Sequence, residues 1–292
     1  MKIQWTCKNG LCAFVMASIL TFAWITVSPA AGETGAQERI ASDTQNGLPL
    51  VAHVVVALCD NQYQGIVPVS AMLGNGQDPR NNLYWGAQYG VRTFLTGQAG
   101  WELVQVEKPS HEEILERAIF HRQILCTGEL RDVYIVADAW DGRMIRRAIA
   151  TFLTMAAGQR VETFTIDAHG DTMRFAAGGD AHLIGYIGHN GLMEYTLDDI
   201  PQQRPNAPAR SAVVLACASL GFFLEPLESS GALPLLLTTG LMAPEAYTLD
   251  AIVQAWFSGA TIARTREAAA HAYAKYQRCS LKAALRLFGV DP

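Results

Sequence analysis

Nine consecutive residues, Leu50-Val51-Ala52-His53-Val54-Val55-Val56-Ala57-Leu58, are apolar at every position but one and rich in β-branched side chains. A run this short, continuous and free of alternation fits a strand covered on both faces. Such a strand needs partners in a sheet and helices above and below it. Trp101 to Val106, Asp132 to Asp138, Ala181 to Gly188, Ala212 to Ala216 and Leu233 to Thr238 read as further strands. Helical patterns are expected over Leu83 to Leu95, from a capping box at Ser110-His111-Glu112-Glu113 to about Leu125, and over Arg143 to Ala157. Others are expected at Leu249 to Trp256, Thr261 to Tyr276 and Ser280 to Phe288. Glu162 to Phe175 alternates about Asp167-Ala168-His169-Gly170-Asp171 as a β-hairpin does. The order predicts an α/β fold: a three-layer sandwich with a mostly parallel sheet and an inserted β-hairpin.

The amino-terminal part reads differently. Lys2 and Lys8 precede an apolar run from Leu11 to Val27, and Ser28-Pro29-Ala30-Ala31 offers small residues for cleavage. Residues 1–31 are therefore expected to be a signal peptide, making the protein exported, to the periplasm or beyond. Left uncleaved, the run would be an anchor, being at the lower limit of about 17 residues for a span. Residues 32–48 are polar and without periodicity, and are expected to be a flexible lead-in; one domain follows over 49–292. With 50% hydrophobic residues the chain is not disordered, and 22 Lys+Arg against 27 Asp+Glu give a net charge of -5, which excludes a general nucleic-acid binder.

In an open parallel sheet the ligand site forms beyond the carboxyl ends of the strands. Two such ends carry reactive groups: Ile184-Gly185-Tyr186-Ile187-Gly188 runs into His189-Asn190-Gly191, and Val213-Val214-Leu215-Ala216 runs into Cys217-Ala218-Ser219. On neighbouring strands they would bring an imidazole and a thiol to one edge, the pair that nucleophilic thiol catalysis requires. Tyr186-Ile187-Gly188-His189 and Val214-Leu215-Ala216-Cys217-Ala218-Ser219, in that order and 28 residues apart, resemble the two motifs of the caspase-like (clan CD) cysteine peptidases, nearest the gingipain and legumain branches. The resemblance spans roughly Pro49 to Trp256. It implies a caspase-like fold, a His189–Cys217 catalytic dyad, an oxyanion hole from the backbone N–H groups of Asn190 and Cys217, and a peptide or protein substrate, with no cofactor and no metal. Where the family has glycine directly after the histidine, this chain has Asn190, with Gly191 next.

The long connection after the first strand leaves the same edge, so Asp60, Asn61, Asp78 and Arg80, with Asp138 at the end of its own strand, are candidates for a substrate pocket. An acidic pocket would favour Arg or Lys at the cleavage point. Two other readings stand beside the peptidase: a catalytically inactive caspase-like protein serving as a binding or scaffold module, and a metal-dependent amide hydrolase centred on Asp167, His169 and Asp171. Tyr84, Trp85, Tyr89 and Phe94 fall at helical spacings and are expected to fill the core, while His111 and His121 are expected on a solvated helix. Beyond the leader, Cys59, Cys126 and Cys279 accompany Cys217. A Cys126–Cys279 bridge is open, and a Cys59–Cys217 bridge would silence the thiol.

Overall fold

The computed structural model describes residues 31–289 apart from 111–112, 127 and 169–170. Ten strands and seven helices are described. The strands are β1 (Leu50–Ala57), β2 (Glu102–Glu107), β3 (Ile114–Cys126), β4 (Glu129–Trp140), β5 (Val161–Ala168), β6 (Asp171–Gly178), β7 (Leu183–Ile187), β8 (Ser211–Leu215), β9 (Leu233–Thr238) and β10 (Phe288–Gly289). The helices are α1 (Ala31–Gln45), α2 (Val91–Gly97), α3 (Ile145–Ala156), α4 (Leu220–Ser230), α5 (Ala246–Phe257), α6 (Ile262–Gln277) and α7 (Leu281–Leu287). Eight strands form one mixed sheet in the order β10-β9-β8-β7-β1-β4-β3-β2, and β5 and β6 pair antiparallel as a separate two-stranded sheet.

The five central strands, β9, β8, β7, β1 and β4, are mutually parallel, and the antiparallel pairs lie toward the edges. Alternate residues of β1 face opposite layers: Ala52, Val54 and Val56 pack with α1, α2, α5, α6 and α7, while Val51, Val55 and Ala57 pack with α3, α4 and the β5–β6 pair. Every residue of β1 is buried, so its continuous apolar run reflects two covered faces.

Three segments differ from expectation. Residues 32–48 are no flexible lead-in: α1 occupies most of them, although its sequence is polar. Ala36 and Ile40, one turn apart, bury one stripe of α1, and Arg39 donates to the carbonyls of Asp180, Ala181 and Ala209. Tertiary anchoring supplies what intrinsic propensity lacks. Ile114–Cys126 is a strand rather than a helix, because a twelve-residue ladder to β4 and a second ladder to β2 outweigh its helical spacing. His111 and Glu112 of the expected capping box lie outside the described residues, and His121 stands on β3 against Asp132, at 2.8 Å. Over Leu83 to Leu95 only the last turn is helical, as part of α2, with Tyr84 and Trp85 buried in the preceding turns. Helix α4, interrupted in pattern by Gly221 and Pro226, carries no clear periodic signal and ends on Gly231, whose φ of +70° suits glycine.

One charged cluster lies inside the sheet. Asp138 is in β4, wholly buried, two residues before the strand ends; it is not at the edge, which corrects its placement as a pocket residue. Arg117 of β3 grips it in a fork, Nε to Oδ1 at 2.5 Å and Nη2 to Oδ2 at 2.8 Å. His53 Nε2 donates to Oδ2 at 3.1 Å, and His53 Nδ1 accepts the Gly178 N–H at 3.0 Å. Arg117 also reaches Glu162 of β5 at 2.9 Å, so the cluster fastens the β5–β6 pair to the sheet. Burial penalises the Asp138 charge, yet Arg117 and His53 hold its carboxyl at about 2, below the ordinary value. Stability from this shift is therefore complete above the unfolded carboxyl value near pH ~4 and is lost as pH falls through about 2. Asp138→Asn, which removes the one fully buried counter-charge of Arg117 and leaves it the peripheral Glu162 and Glu107, is expected to cost about 3–5 kcal/mol in urea unfolding at neutral pH. A loss below 1 kcal/mol would show that the cluster is dispensable.

Candidate active site

Strands β7 and β8 pair in parallel with Ile187 opposite Leu215. His189 and Cys217 each lie two residues past that last pair, so both leave adjacent strands at the same edge. The turns are tied together. Gly188 N–H donates to Leu215 O at 3.3 Å, and the Asn190 amide donates through Nδ2 to Cys217 O at 2.8 Å. Asn190 is fully buried and its Oδ1 accepts the Leu192 N–H, opening the short turn Gly191–Met193. The Asn190 side chain is thus turned inward, toward the Cys217 carbonyl. Its polar atoms are satisfied there.

Residues 216–219 make a tight strand-to-helix corner. Ala218 has φ of +48°, a left-handed conformation that costs a non-glycine residue of order 1 kcal/mol, and its N–H donates to Gly240 O at 2.8 Å. Ser219, fully buried, accepts the Thr238 N–H at 2.9 Å and donates to Val214 O at 3.0 Å; Thr238 Oγ1 in turn donates to Ala216 O. The corner is therefore held from inside the sheet by β9. Cys217 is partly exposed, and the Met242 backbone clasps its sulfur: the N–H points at Sγ from 3.4 Å, and the carbonyl faces the thiol at 3.6 Å.

His189 has a carboxylate partner that its sequence surroundings do not announce. Nε2 donates to Glu194 Oε1 at 2.6 Å, and the same oxygen accepts the Gly65 N–H at 2.8 Å. Glu194 therefore joins the imidazole to the connection between β1 and α2. With Nε2 committed, Nδ1 is the nitrogen left for proton exchange. Tyr186, buried in β7, donates to His189 O at 2.7 Å and fixes the backbone of that turn. No hydrogen bond joins His189 to Cys217 among the described residues; each group is held by its own partner. The N–H groups of Cys217 and Asn190 have no protein acceptor among the described residues, leaving two donors at the edge. Beside Glu194 a shallow groove is lined by Arg146, Leu192, Met193, Tyr195 and Asp198, with the Arg146 guanidinium 3.8 Å above the Tyr195 ring.

The pocket candidates are spent on local structure. Asp60 Oδ1 accepts the N–H groups of Gln62 and Tyr63, and its Oδ2 accepts from Gln77 at 2.6 Å. Asn61 makes paired bonds with the Val69 backbone, and Asp78 closes a turn onto the Arg80 N–H and the Asn81 amide. Arg80 itself is exposed. In the metal reading, His169 lies outside the described residues and Asp167 accepts from the Thr172 hydroxyl at 2.7 Å; no metal-holding cluster occurs among the described residues.

The four described cysteines are free. Strand β7 lies between β1 and β8, which separates the ends carrying Cys59 and Cys217 by two strand spacings, about 9.6 Å. That exceeds the ~7 Å limit for bridging without backbone movement. Burial pushes the Cys59 thiol up to about 11, only partly offset by Tyr84, and burial raises Cys126 as well.

No family model, curated protein or solved structure matches the chain. Sequence reasoning missed Glu194, Met242 and the Ser219–Thr238 pair. A carboxylate five residues after the histidine is a signal for the first only once the turn at Gly191 is known, and the other two act through contacts between separate strands. Brief iodoacetamide treatment of the reduced native protein is expected to label Cys217 and Cys279, with Cys59 and Cys126 reacting only after unfolding. Mass mapping that finds Cys217 unlabelled would show that the Met242 clasp seals the thiol.

Proposed function

We propose that the chain is an exported cysteine endopeptidase of the caspase-like kind, with His189 and Cys217 as its dyad. The observation that carries this reading is the β7–β8 register, which delivers the imidazole and the thiol to equivalent places on one edge beside two unused N–H donors. Cys217 Sγ attacks the peptide carbonyl carbon, forming a C–S bond as the thiol proton passes to His189 Nδ1. The carbonyl oxygen, now negative, takes hydrogen bonds from the N–H groups of Cys217 and Asn190, donors of a kind worth a few (about 3) kcal/mol each in a dry site. His189 returns the proton to the departing amine as the C–N bond breaks, leaving a thioester. Water, deprotonated by His189, then hydrolyses it and restores the thiol. Glu194 orients the imidazole and stabilises it when charged. It is a positioning residue.

A second reading has its own support. Since the thiol rests on Met242 and the imidazole on Glu194, the same residues would suit a caspase-like module that binds polypeptides without cleaving them. Fluorogenic peptides with varied residues at the cleavage point separate the two. Turnover that disappears in Cys217→Ala supports the peptidase, whereas no turnover and no reaction of reduced Cys217 with an electrophilic peptide probe sinks it. Glu194→Gln is expected to lower kcat by roughly 10- to 100-fold, within the ~10²–10⁴ that general acid–base transfer contributes, with KM little changed and with Glu194→Asp recovering part of the loss. A kcat that neither variant moves would assign Glu194 to loop structure alone.

A further inference from the structure

The strand ends around Cys217 are bordered by apolar side chains that face solvent. Of the eleven large hydrophobic side chains exposed among the described residues, six leave this one edge: Tyr63, Val67 and Met72 on the β1–α2 connection, Met193 after His189, Phe222 in the first turn of α4, and Leu241 beside the Met242 clasp. Val67 is 87% exposed and Leu241 79%. Of the remaining five, Leu125 and Leu130 face each other at the β3–β4 turn, and Leu48, Val106 and Val161 stand on other elements. Exposed apolar side chains that gather at a site, rather than singly, mark recognition.

The carboxylates at the same edge are already hydrogen-bonded within the fold, so their acceptor atoms are occupied. Asp60 is taken by two N–H groups and Gln77, Asp78 by its own turn, and Glu194 by His189 and Gly65. Asp141 is gripped by Arg143 and Gln77, which hold its carboxyl below the usual range against the penalty of burial. A basic side chain brought to this edge would give up water and meet carboxylates that already have donors. An apolar one would meet apolar surface and release water from both sides.

We infer that the site takes polypeptide segments with apolar side chains, Leu, Phe or Met in preference to Arg, Lys, Asp or Asn, at the residue whose carbonyl is attacked. The inference rests on the peptidase reading for its chemistry, and on the apolar rim for its selectivity. It replaces the expectation of a basic cleavage residue.

The test uses one set of fluorogenic peptides that differ only at that residue. Values of kcat/KM for Leu, Phe and Met are expected to exceed those for Arg, Lys, Asp and Asn by about tenfold or more, the discrimination available to an apolar contact. Val67→Glu and Leu241→Glu, both changes at highly exposed positions, are expected to cut that ratio several-fold, with the basic peptides gaining relative to the apolar ones. A preference for charged residues, or a ratio that neither variant moves, overturns the inference while leaving the peptidase intact. If no peptide is turned over, the peptidase reading fails separately, and fluorescence-polarisation binding of the same peptides to Cys217→Ala decides the selectivity. Tighter binding of the apolar peptides supports it. Equal binding, or tighter binding of the charged ones, overturns it.

Discussion

Five parallel strands, β9-β8-β7-β1-β4, hydrogen-bonded side by side and covered on both faces, impose the plan on which everything else depends. Parallel ladders force each connection to return across a face of the sheet, so helices must lie on both sides. They also place every strand's carboxyl end at one edge. A one-residue slip of β8 against β7 would exchange the faces of Val213 and Val214, both fully buried, and would move Cys217 relative to His189. Core packing and site geometry are thus set by the same register. His53, Arg117 and Asp138 show what the sheet tolerates: a charged group inside it persists because every partner is supplied from a neighbouring strand.

The corner at Cys217 is a local cost accepted within that plan. Ala218 stays in a left-handed conformation because Gly240, Thr238 and Ser219 leave its neighbours no other arrangement. The chain just beyond β9 supplies the Met242 backbone, whose N–H and carbonyl contact the sulfur. The pair holds the sulfur in place at the corner, with one donor and one acceptor set against it.

Legibility followed the range of the interactions. The central strands could be read from composition because burial on both faces leaves a local mark, continuous β-branched runs such as Leu50–Ala57. The two strand ends could be read for the same reason, since a polar or reactive residue after such a run stands out. Long antiparallel β3 could not, because Ile114–Cys126 has helix-compatible spacing and becomes a strand only through its ladders to β2 and β4. Helix α1 failed in the opposite direction: its polar sequence gives little moment, and its order comes from Arg39, Ala36 and Ile40 meeting distant segments. Glu194 was invisible because its role depends on Gly65, far away along the chain.

The segment between β1 and α2 explains why the site's charge could not be inferred from its composition. Nearly devoid of helix and strand until Val91, it must still satisfy its buried backbone groups. Side chains do this work: Asn82 accepts from Cys59 N–H and donates to Cys59 O, Gln64 donates to Leu58 O and Gly142 O, and Asp60 and Asn61 close turns on themselves. Polar residues dense enough to suggest a charged pocket are consumed in replacing a missing ladder. Val67 and Met72 of the same connection, which cannot hydrogen-bond, face outward. The connection's aromatic side chains, Tyr84 and Trp85, enter the core, so it is held by a polar scaffold at its turns and by its own share of the buried apolar surface.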